Sequence, residues 1–256
     1  MKQIWSRFLD VLLLVSTSLF TWWAIRAIIT PMLQHNTHLA HWNPSFLATI
    51  VVVSVLGHEL GHAFFMERYG LRTRIFLLVF IGGAVIDPKK MAKLSWSKQS
   101  NILLAGVCVN FLLGVIGLLL GLFGIITIST ASMFALVNGS MIIWNLIPVG
   151  LFDGGRLAKL LFNSIPEHDD LRVARYLSRA VLPAFIGLFA CAVIDMIIPM
   201  TLMVWGFGYQ ATHDDPEGSY NPLAMTREDV SRLSWIYLLL VYGGAALLLL
   251  FELVRK

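Results

Sequence analysis

The chain has 256 residues, of which 57% are hydrophobic and 13% are charged. Soluble domains carry about 25% charged residues, so this composition excludes an ordinary soluble protein and indicates a polytopic membrane protein. The formal net charge of +4 gives no reason to expect a nucleic-acid partner. The only macromolecular surroundings that the composition predicts are the lipid bilayer and proteins within it.

Six apolar stretches are long enough to cross a bilayer, which takes about 20 helical residues. In chain order they run approximately over Leu9–Leu33, Phe46–Phe65, Ile102–Ile128, Ser132–Val149, Ala180–Trp205 and Trp235–Val254. The first stretch lacks a small-residue cleavage pattern, so we expect an uncleaved span. The connections are too short for an inserted peptide-binding module. We therefore predict an all-α polytopic membrane protein with a single domain over residues 1–256 and a functional core at about 45–165.

Positive charge alternates between the connections of these spans. The connections after the second and fourth spans are rich in Lys and Arg, whereas Gln34–Ser45 has none, and Tyr209–Ser234 carries five acidic residues against two arginines. Basic connections stay on the cytoplasmic side. We therefore expect both termini in the cytoplasm, and the cell (inner) membrane as the location.

The second span contains His58-Glu59-Leu60-Gly61-His62, an HExxH motif. Residues four apart share one face of a helix, so both imidazoles can reach one zinc ion. Glu59 then lies beside the ion, where it can take a proton from water. The alternative, two packing histidines and a glutamate, is costly inside a membrane, because unpaired polar groups there cost several kcal/mol. The motif predicts one Zn²⁺ per chain.

The segment from Leu71 to Asp87 interrupts the helical pattern. It is short, rich in β-branched and aromatic residues, and broken by Gly82 and Gly83. This pattern predicts a short β-like segment, either a strand pair or a re-entrant loop, after the second span. An extended peptide could pair with it through main-chain hydrogen bonds, which makes Phe80, Gly82 and Gly83 candidate substrate-binding residues.

The end of the fourth span, NLIPVGLFDGG, is the expected source of a third zinc ligand. Asp153 is the only carboxylate there, and an N-cap of the following segment is its alternative role. The predicted topology places Asp153 in the same half of the membrane as the two histidines. Asn145, at the end of the same span, is a candidate oxyanion donor, with an interhelical hydrogen bond as its alternative role.

In combination, HELGH and NLIPVGLFDGG resemble the site-2 protease family of intramembrane zinc metalloproteases. The resemblance implies His58, His62 and Asp153 as zinc ligands and Glu59 as the catalytic acid and base. Gly106 and Asn110, on the third span, are similar to that family's glycine-and-asparagine motif, and we take Asn110 as a substrate-binding candidate. The resemblance implies an endopeptidase that hydrolyses peptide bonds in or near transmembrane segments of single-span or other membrane proteins, as in regulated intramembrane proteolysis.

Two other functions remain open at this point. A divalent-metal transporter could use the same ligands together with Asp195, an intramembrane acid of the fifth span. A catalytically inactive membrane scaffold could retain the motifs. A transporter would favour ligands at several depths, and it gives Glu59 no special task.

Overall fold

The computed structural model describes residues 2–35, 42–78, 81–85, 88–146, 152–163 and 227–255. These ranges form the helices α1 (Lys2–His35), α2 (Pro44–Arg68), α3 (Pro88–Ala92), α4 (Trp96–Leu122), α5 (Ile128–Leu146), α6 (Asp153–Asn163) and α7 (Arg227–Arg255), and the strands β1 (Arg74–Leu78) and β2 (Ile81–Val85). The predicted fifth span, including Asp195, lies outside the described residues.

Helix α2 carries the HExxH motif and has well-defined ends. The Asn43 side chain accepts hydrogen bonds from the backbone N–H groups of Ser45 and Phe46, at 2.9 and 3.2 Å, and Pro44 occupies the first turn. Both features are typical of a helix start, where backbone donors lack partners and proline fits. The helix ends at Arg68 and is followed by Gly70, whose φ of 78° few other residues adopt readily.

Helix α4 lies at the centre of the described bundle and packs against α2, α5, α6 and α7. The contact with α2 is close, because a Cβ atom placed on Gly61 would come within 2.8 Å of the Ala105 carbonyl oxygen. Small residues of this kind let helix backbones approach in membrane proteins. The main apolar core fills the space between α4, α5 and α7, around Val107, Ile142 and Leu248. The two histidines of α2 therefore face the backbone of α4 directly.

The predicted strand pair is present. Strands β1 and β2 form an antiparallel hairpin in which Phe76 pairs with Gly83 and Leu77 with Gly82. On its other side β1 lies against α1, where Leu77 N–H donates to Thr17 Oγ1 at 3.3 Å and Arg74 Nε lies 3.0 Å from Asp10 Oδ1. Entry of the hairpin into the membrane stays a prediction, and Phe80 lies outside the described residues.

Four helices of the described part are long and apolar enough to cross a membrane: Leu9–His35, Pro44–Arg68, Trp96–Leu122 and Ser231–Phe251. The predicted count of six spans is therefore not confirmed. Helix α5 covers most of the predicted fourth span, but it is only 19 residues long and contains two asparagines and several hydroxyl residues. Most of α5 is buried against α4 and α7, so protein rather than lipid surrounds it.

The four helices differ in how much protein covers them. Helix α1 is 11% buried, whereas the other three are 50 to 56% buried. Helix α1 thus lies at the periphery of the described bundle. The Trp22 indole N–H links it to α2 and lies 3.0 Å from Thr49 Oγ1 and 3.3 Å from the Ser45 carbonyl. The composition of these helices identifies an integral membrane protein.

Candidate metal centre

The HExxH motif presents two imidazoles from consecutive turns of α2. The rings of His58 and His62 have centroids 4.6 Å apart, and their Nε2 atoms are 3.0 Å apart. Both residues are buried, with 3% and 6% of their surfaces exposed. This is the arrangement that the four-residue spacing predicts, because positions i and i+4 lie one above the other on a helix.

Helix α4 determines which nitrogen of each ring carries the proton. His62 Nδ1 lies 2.6 Å from the Ile102 carbonyl oxygen, which can only accept, so this nitrogen donates. His58 Nδ1 lies 2.6 Å from the Oδ1 atom of Asn110 and donates in the same way. In the neutral rings both Nε2 atoms are consequently unprotonated acceptors. A metal-binding histidine needs this tautomer, with its second nitrogen tied to an oxygen.

Asp153, the first residue of α6, brings a carboxylate to the same point. Its Oδ2 lies 3.2 Å from His58 Nε2 and 3.1 Å from His62 Nε2, and the residue is 8% exposed. At the start of α6, the Phe152 carbonyl accepts from the N–H groups of Gly155 and Arg156. Asp153 Oδ2 is buried without a hydrogen-bond partner. This oxygen therefore faces the imidazoles and does not cap α6.

Three acceptor atoms, two Nε2 and one carboxylate oxygen, thus converge within 3.0 to 3.2 Å of one another. With neutral imidazoles, three lone pairs aimed at one point repel each other unless a metal ion lies between them; without a metal, a protonated imidazole paired with Asp153 removes the repulsion. Zinc bonds of about 2.0 to 2.1 Å in a tetrahedral site separate the ligand atoms by roughly 3.3 Å. The donor set therefore fits a zinc ion, with two imidazoles and one carboxylate as its protein ligands.

Gly106 on α4 leaves the space that these ligands occupy. A Cβ atom at this position would come within 2.5 Å of His62 Nε2 and 2.7 Å of His58 Nε2. Any other residue would therefore displace the nitrogen atoms that face Asp153. The sequence pattern singled out this glycine, and its contact with the ligand atoms gives the physical reason.

Asp153 is a ligand only as a carboxylate. Burial raises the pKa of its carboxyl, whereas positive charge on the imidazoles of His62 and His58 would lower it. Carboxylates coordinate metals when deprotonated. Glu59, 6% exposed on α2, lies within electrostatic reach of the same three side chains.

The other predicted site residues lie in different surroundings. The Asn145 side chain donates to the Met141 carbonyl at 3.0 Å, within its own helix, and no described contact joins it to the three ligands. Asn110 is fully buried and bonds to His58, which makes it a partner of a ligand rather than part of a substrate surface. Gly82 and Gly83 lie in β2, paired with β1.

Two supporting groups escaped the sequence interpretation. The Ile102 carbonyl is a backbone atom without any sequence signal. Asn138 on α5 bonds to Asn110 at 3.0 Å and is fully buried. An amide inside an apolar span was a usable signal, because polar side chains in spans usually have interhelical partners.

Part of this chain is similar to a peptidase family and to a zinc metalloprotease. The model of peptidase family M50 matches residues 46–127. A zinc metalloprotease of Methanocaldococcus jannaschii is 32% identical over 123 residues, which cover 46% of this chain and 34% of the relative. Stage IV sporulation protein FB of Bacillus subtilis is 26% identical over 201 residues, covering 78% and 64% of the two chains. The chain thus spans about one third of the first relative's length and slightly less than two thirds of the second's.

A solved structure of the site-2 protease from Methanocaldococcus jannaschii also resembles this chain. The superposition has a TM-score of 0.47 at 24% sequence identity. It covers 79% of this chain and 93% of the other.

Proposed function

We propose that this chain is a member of peptidase family M50, whose model matches residues 46–127, and a zinc-dependent endopeptidase that cleaves membrane proteins in or near their transmembrane segments. One observation carries the proposal: two imidazole nitrogens and one carboxylate oxygen converge within 3.2 Å, within electrostatic reach of the buried Glu59. Buried polar groups that only support the structure pair donors with acceptors, whereas this cluster, with neutral imidazoles, consists of three acceptors and the carboxylate of Glu59. Such a set suits a metal and a proton acceptor.

His58, His62 and Asp153 would hold one zinc ion per chain. When bound, zinc lowers the pKa of an attacking water and polarises the scissile carbonyl. Glu59 accepts the proton of that water and then delivers it to the leaving amine. Its low exposure keeps bulk water away, which strengthens the electrostatic interactions inside the site.

Asn145 stays a candidate oxyanion donor within this proposal. Its amide, half-buried near the end of α5, bonds to the Met141 carbonyl, so it would have to turn to reach a substrate. Loss of an oxyanion donor costs about 10² to 10³ in rate. Replacement of Asn145 by alanine with unchanged cleavage would remove it from the mechanism.

The hairpin is the proposed substrate platform. Among the described residues β2 has β1 as its only strand partner, while β1 also lies against α1. An unwound substrate segment could therefore add to β2 and present its carbonyls in extended form. Proline at Phe80 should then impair cleavage while the zinc content stays normal, and unimpaired cleavage would exclude this platform.

Single-span or other membrane proteins are the proposed substrates. The basic segment that follows α2 supports the proposed orientation, with the zinc site and both termini toward the cytoplasm. Arg68, Arg72 and Arg74 follow His62 by 6 to 12 residues, so the site lies toward that side. The cell (inner) membrane is the proposed location.

Glu59→Gln tests the enzymatic role directly. The purified variant should keep its zinc and lose about 10²- to 10⁴-fold in cleavage of a single-span model substrate, because general acid and base catalysis typically contributes that much. Glu67→Gln is the matched control, since it changes an exposed glutamate two turns further along α2. Unchanged cleavage by Glu59→Gln would overturn the proposal, and zinc transport at a nearly normal rate would favour a transporter.

A further inference from the structure

Buried hydrogen bonds through two asparagine amides, one on α4 and one on α5, lead to the ring of His58 on α2. Asn110 on α4 and Asn138 on α5 are both fully buried, and His58 on α2 is 3% exposed. Asn110 Oδ1 accepts from His58 Nδ1 at 2.6 Å. The Asn110 amide nitrogen donates to the Ser54 carbonyl at 3.2 Å and to Asn138 Oδ1 at 3.0 Å.

The acceptors around Asn110 leave its amide one favourable orientation. A flipped amide would place Oδ1 against the Ser54 carbonyl oxygen and would lose both donated hydrogen bonds. The Asn138 amide is oriented in turn, because its nitrogen donates to the Phe134 carbonyl at 3.0 Å. Backbone carbonyls only accept, so the direction of every hydrogen bond in the chain follows from Ser54 and Phe134.

We infer that Asn110, oriented by Asn138 and the Ser54 carbonyl, is a positioning residue that keeps the His58 Nε2 atom unprotonated and directed toward Asp153. The reason is that Asn110 Oδ1 accepts a proton from Nδ1 and thereby selects the other nitrogen as the ligand. The role depends on the metal centre of the proposed function, but not on proteolysis. It replaces the substrate-binding role that the sequence suggested for Asn110.

Two substitutions of Asn110 separate this role from simple packing. Asn110→Asp keeps an acceptor for His58 Nδ1, but its second carboxylate oxygen would face two other acceptors, the Ser54 carbonyl and Asn138 Oδ1. Asn110→Leu fills similar space without an acceptor. A positioning role predicts that Asn110→Leu weakens zinc binding by about 10- to 100-fold, as for other partners of metal ligands, and that Asn110→Asp stays within a few-fold of wild type. A packing role predicts the reverse order, because only Asp introduces an opposed buried charge.

The measurement is the zinc dissociation constant of the purified full chain, obtained by competition with a chromogenic chelator. Asn138→Leu supplies a second comparison if Asn110→Asp does not fold. It removes the same interhelical hydrogen bond as Asn110→Leu but leaves the Asn110 acceptor on His58, with Ser54 still orienting the amide. The positioning role predicts at most a few-fold loss for Asn138→Leu, and equal losses for Asn110→Leu and Asn138→Leu would overturn it.

Failure of this inference differs from failure of the proposed function. If zinc binds with the expected order of affinities but no membrane substrate is cleaved, the positioning role holds and the enzymatic proposal falls. If the order of zinc affinities among the variants is reversed while cleavage proceeds, the positioning role falls and the enzymatic proposal holds. A wild-type chain that binds no zinc would overturn both.

Discussion

The ring of His58 belongs to two buried polar clusters that differ in how their hydrogen-bonding groups are matched. On the Nδ1 side, the amides of Asn110 and Asn138 form a cluster in which each donor meets an acceptor at 2.6 to 3.2 Å. On the Nε2 side, three acceptors face one another at 3.0 to 3.2 Å. We call these the amide cluster and the ligand cluster.

The difference shows which cluster is complete in the protein alone. A fully matched buried network is stable and rigid, whereas a partly matched one is costly in a medium of low dielectric constant. The amide cluster needs nothing further. The ligand cluster needs a cation, and the amide cluster holds one of its ligands in place.

The largest expected effect follows from Gly106→Ala, which forces the ligand cluster apart. The added methyl group would lie 2.5 to 2.7 Å from both Nε2 atoms. Overpacking costs about 1 to 3 kcal/mol. Because the added methyl group would displace the ligand atoms themselves, we expect this cost to appear as roughly a 10- to 100-fold loss of zinc affinity. Chelator competition measures that loss.

Gly57→Ala is the matched control for Gly106→Ala. Its Cβ would meet only side-chain methyl groups of Leu113 and Val109, at 3.2 and 3.3 Å, across the same contact between α2 and α4. We expect near-normal zinc affinity. Equal losses in both variants would mean that helix spacing matters, and not the space beside the imidazoles.

Metal removal should have the next largest effect, on stability. A ligand that binds only the folded state at 1,000 times its dissociation constant adds about 4 kcal/mol, and 1 kcal/mol shifts the unfolding midpoint of a chain of this size by about 2 to 4 °C. Excess chelator should therefore lower the midpoint by roughly 8 to 16 °C. Asp153→Asn should respond far less, because its amide can donate to an imidazole and thus matches the cluster without a metal.

The midpoint is read by thermal unfolding of detergent-purified protein with and without chelator. A wild-type midpoint that does not change on chelation would contradict the comparison of the two clusters. It would mean that the ligand cluster is matched without a metal, by protonated imidazoles paired with Asp153.

The smallest expected effect belongs to a hydrogen bond outside both clusters. The Tyr237 hydroxyl on α7 donates to the Leu146 carbonyl, in the last turn of α5. Hydrogen bonds between membrane helices contribute about 0.6 kcal/mol on average. Tyr237→Phe should lower the unfolding midpoint by only about 1 to 2 °C and leave zinc affinity unchanged. A tenfold loss of zinc affinity would show that α7 also positions the ligand cluster.

The sequence predicted the ligand cluster well because its members follow local rules. The spacing of His58 and His62 places both rings on one helical face, and Asp153 is the only carboxylate in the glycine-rich segment after the fourth predicted span. The hairpin followed from its β-branched residues and paired glycines. Each of these patterns is contained within a few consecutive residues.

The amide cluster could not be predicted in this way. The role of Asn110 depends on which acceptors surround its amide, and these come from a backbone carbonyl of α2 and a side chain of α5, 56 and 28 residues away. The third predicted span, approximately Ile102–Ile128, corresponds to α4, which runs from Trp96 to Leu122. Apolar composition identifies the part of a helix that suits lipid, and polar first turns extend beyond it.

The most direct test of the account is the zinc stoichiometry of the purified full chain and of Asp153→Ala, measured by elemental analysis after gel filtration. We expect about one zinc per wild-type chain and almost none in the variant, because two imidazoles on one helix leave the ion without its third protein ligand. Undiminished zinc in Asp153→Ala would contradict the claim that carboxylate and imidazoles meet around a single ion.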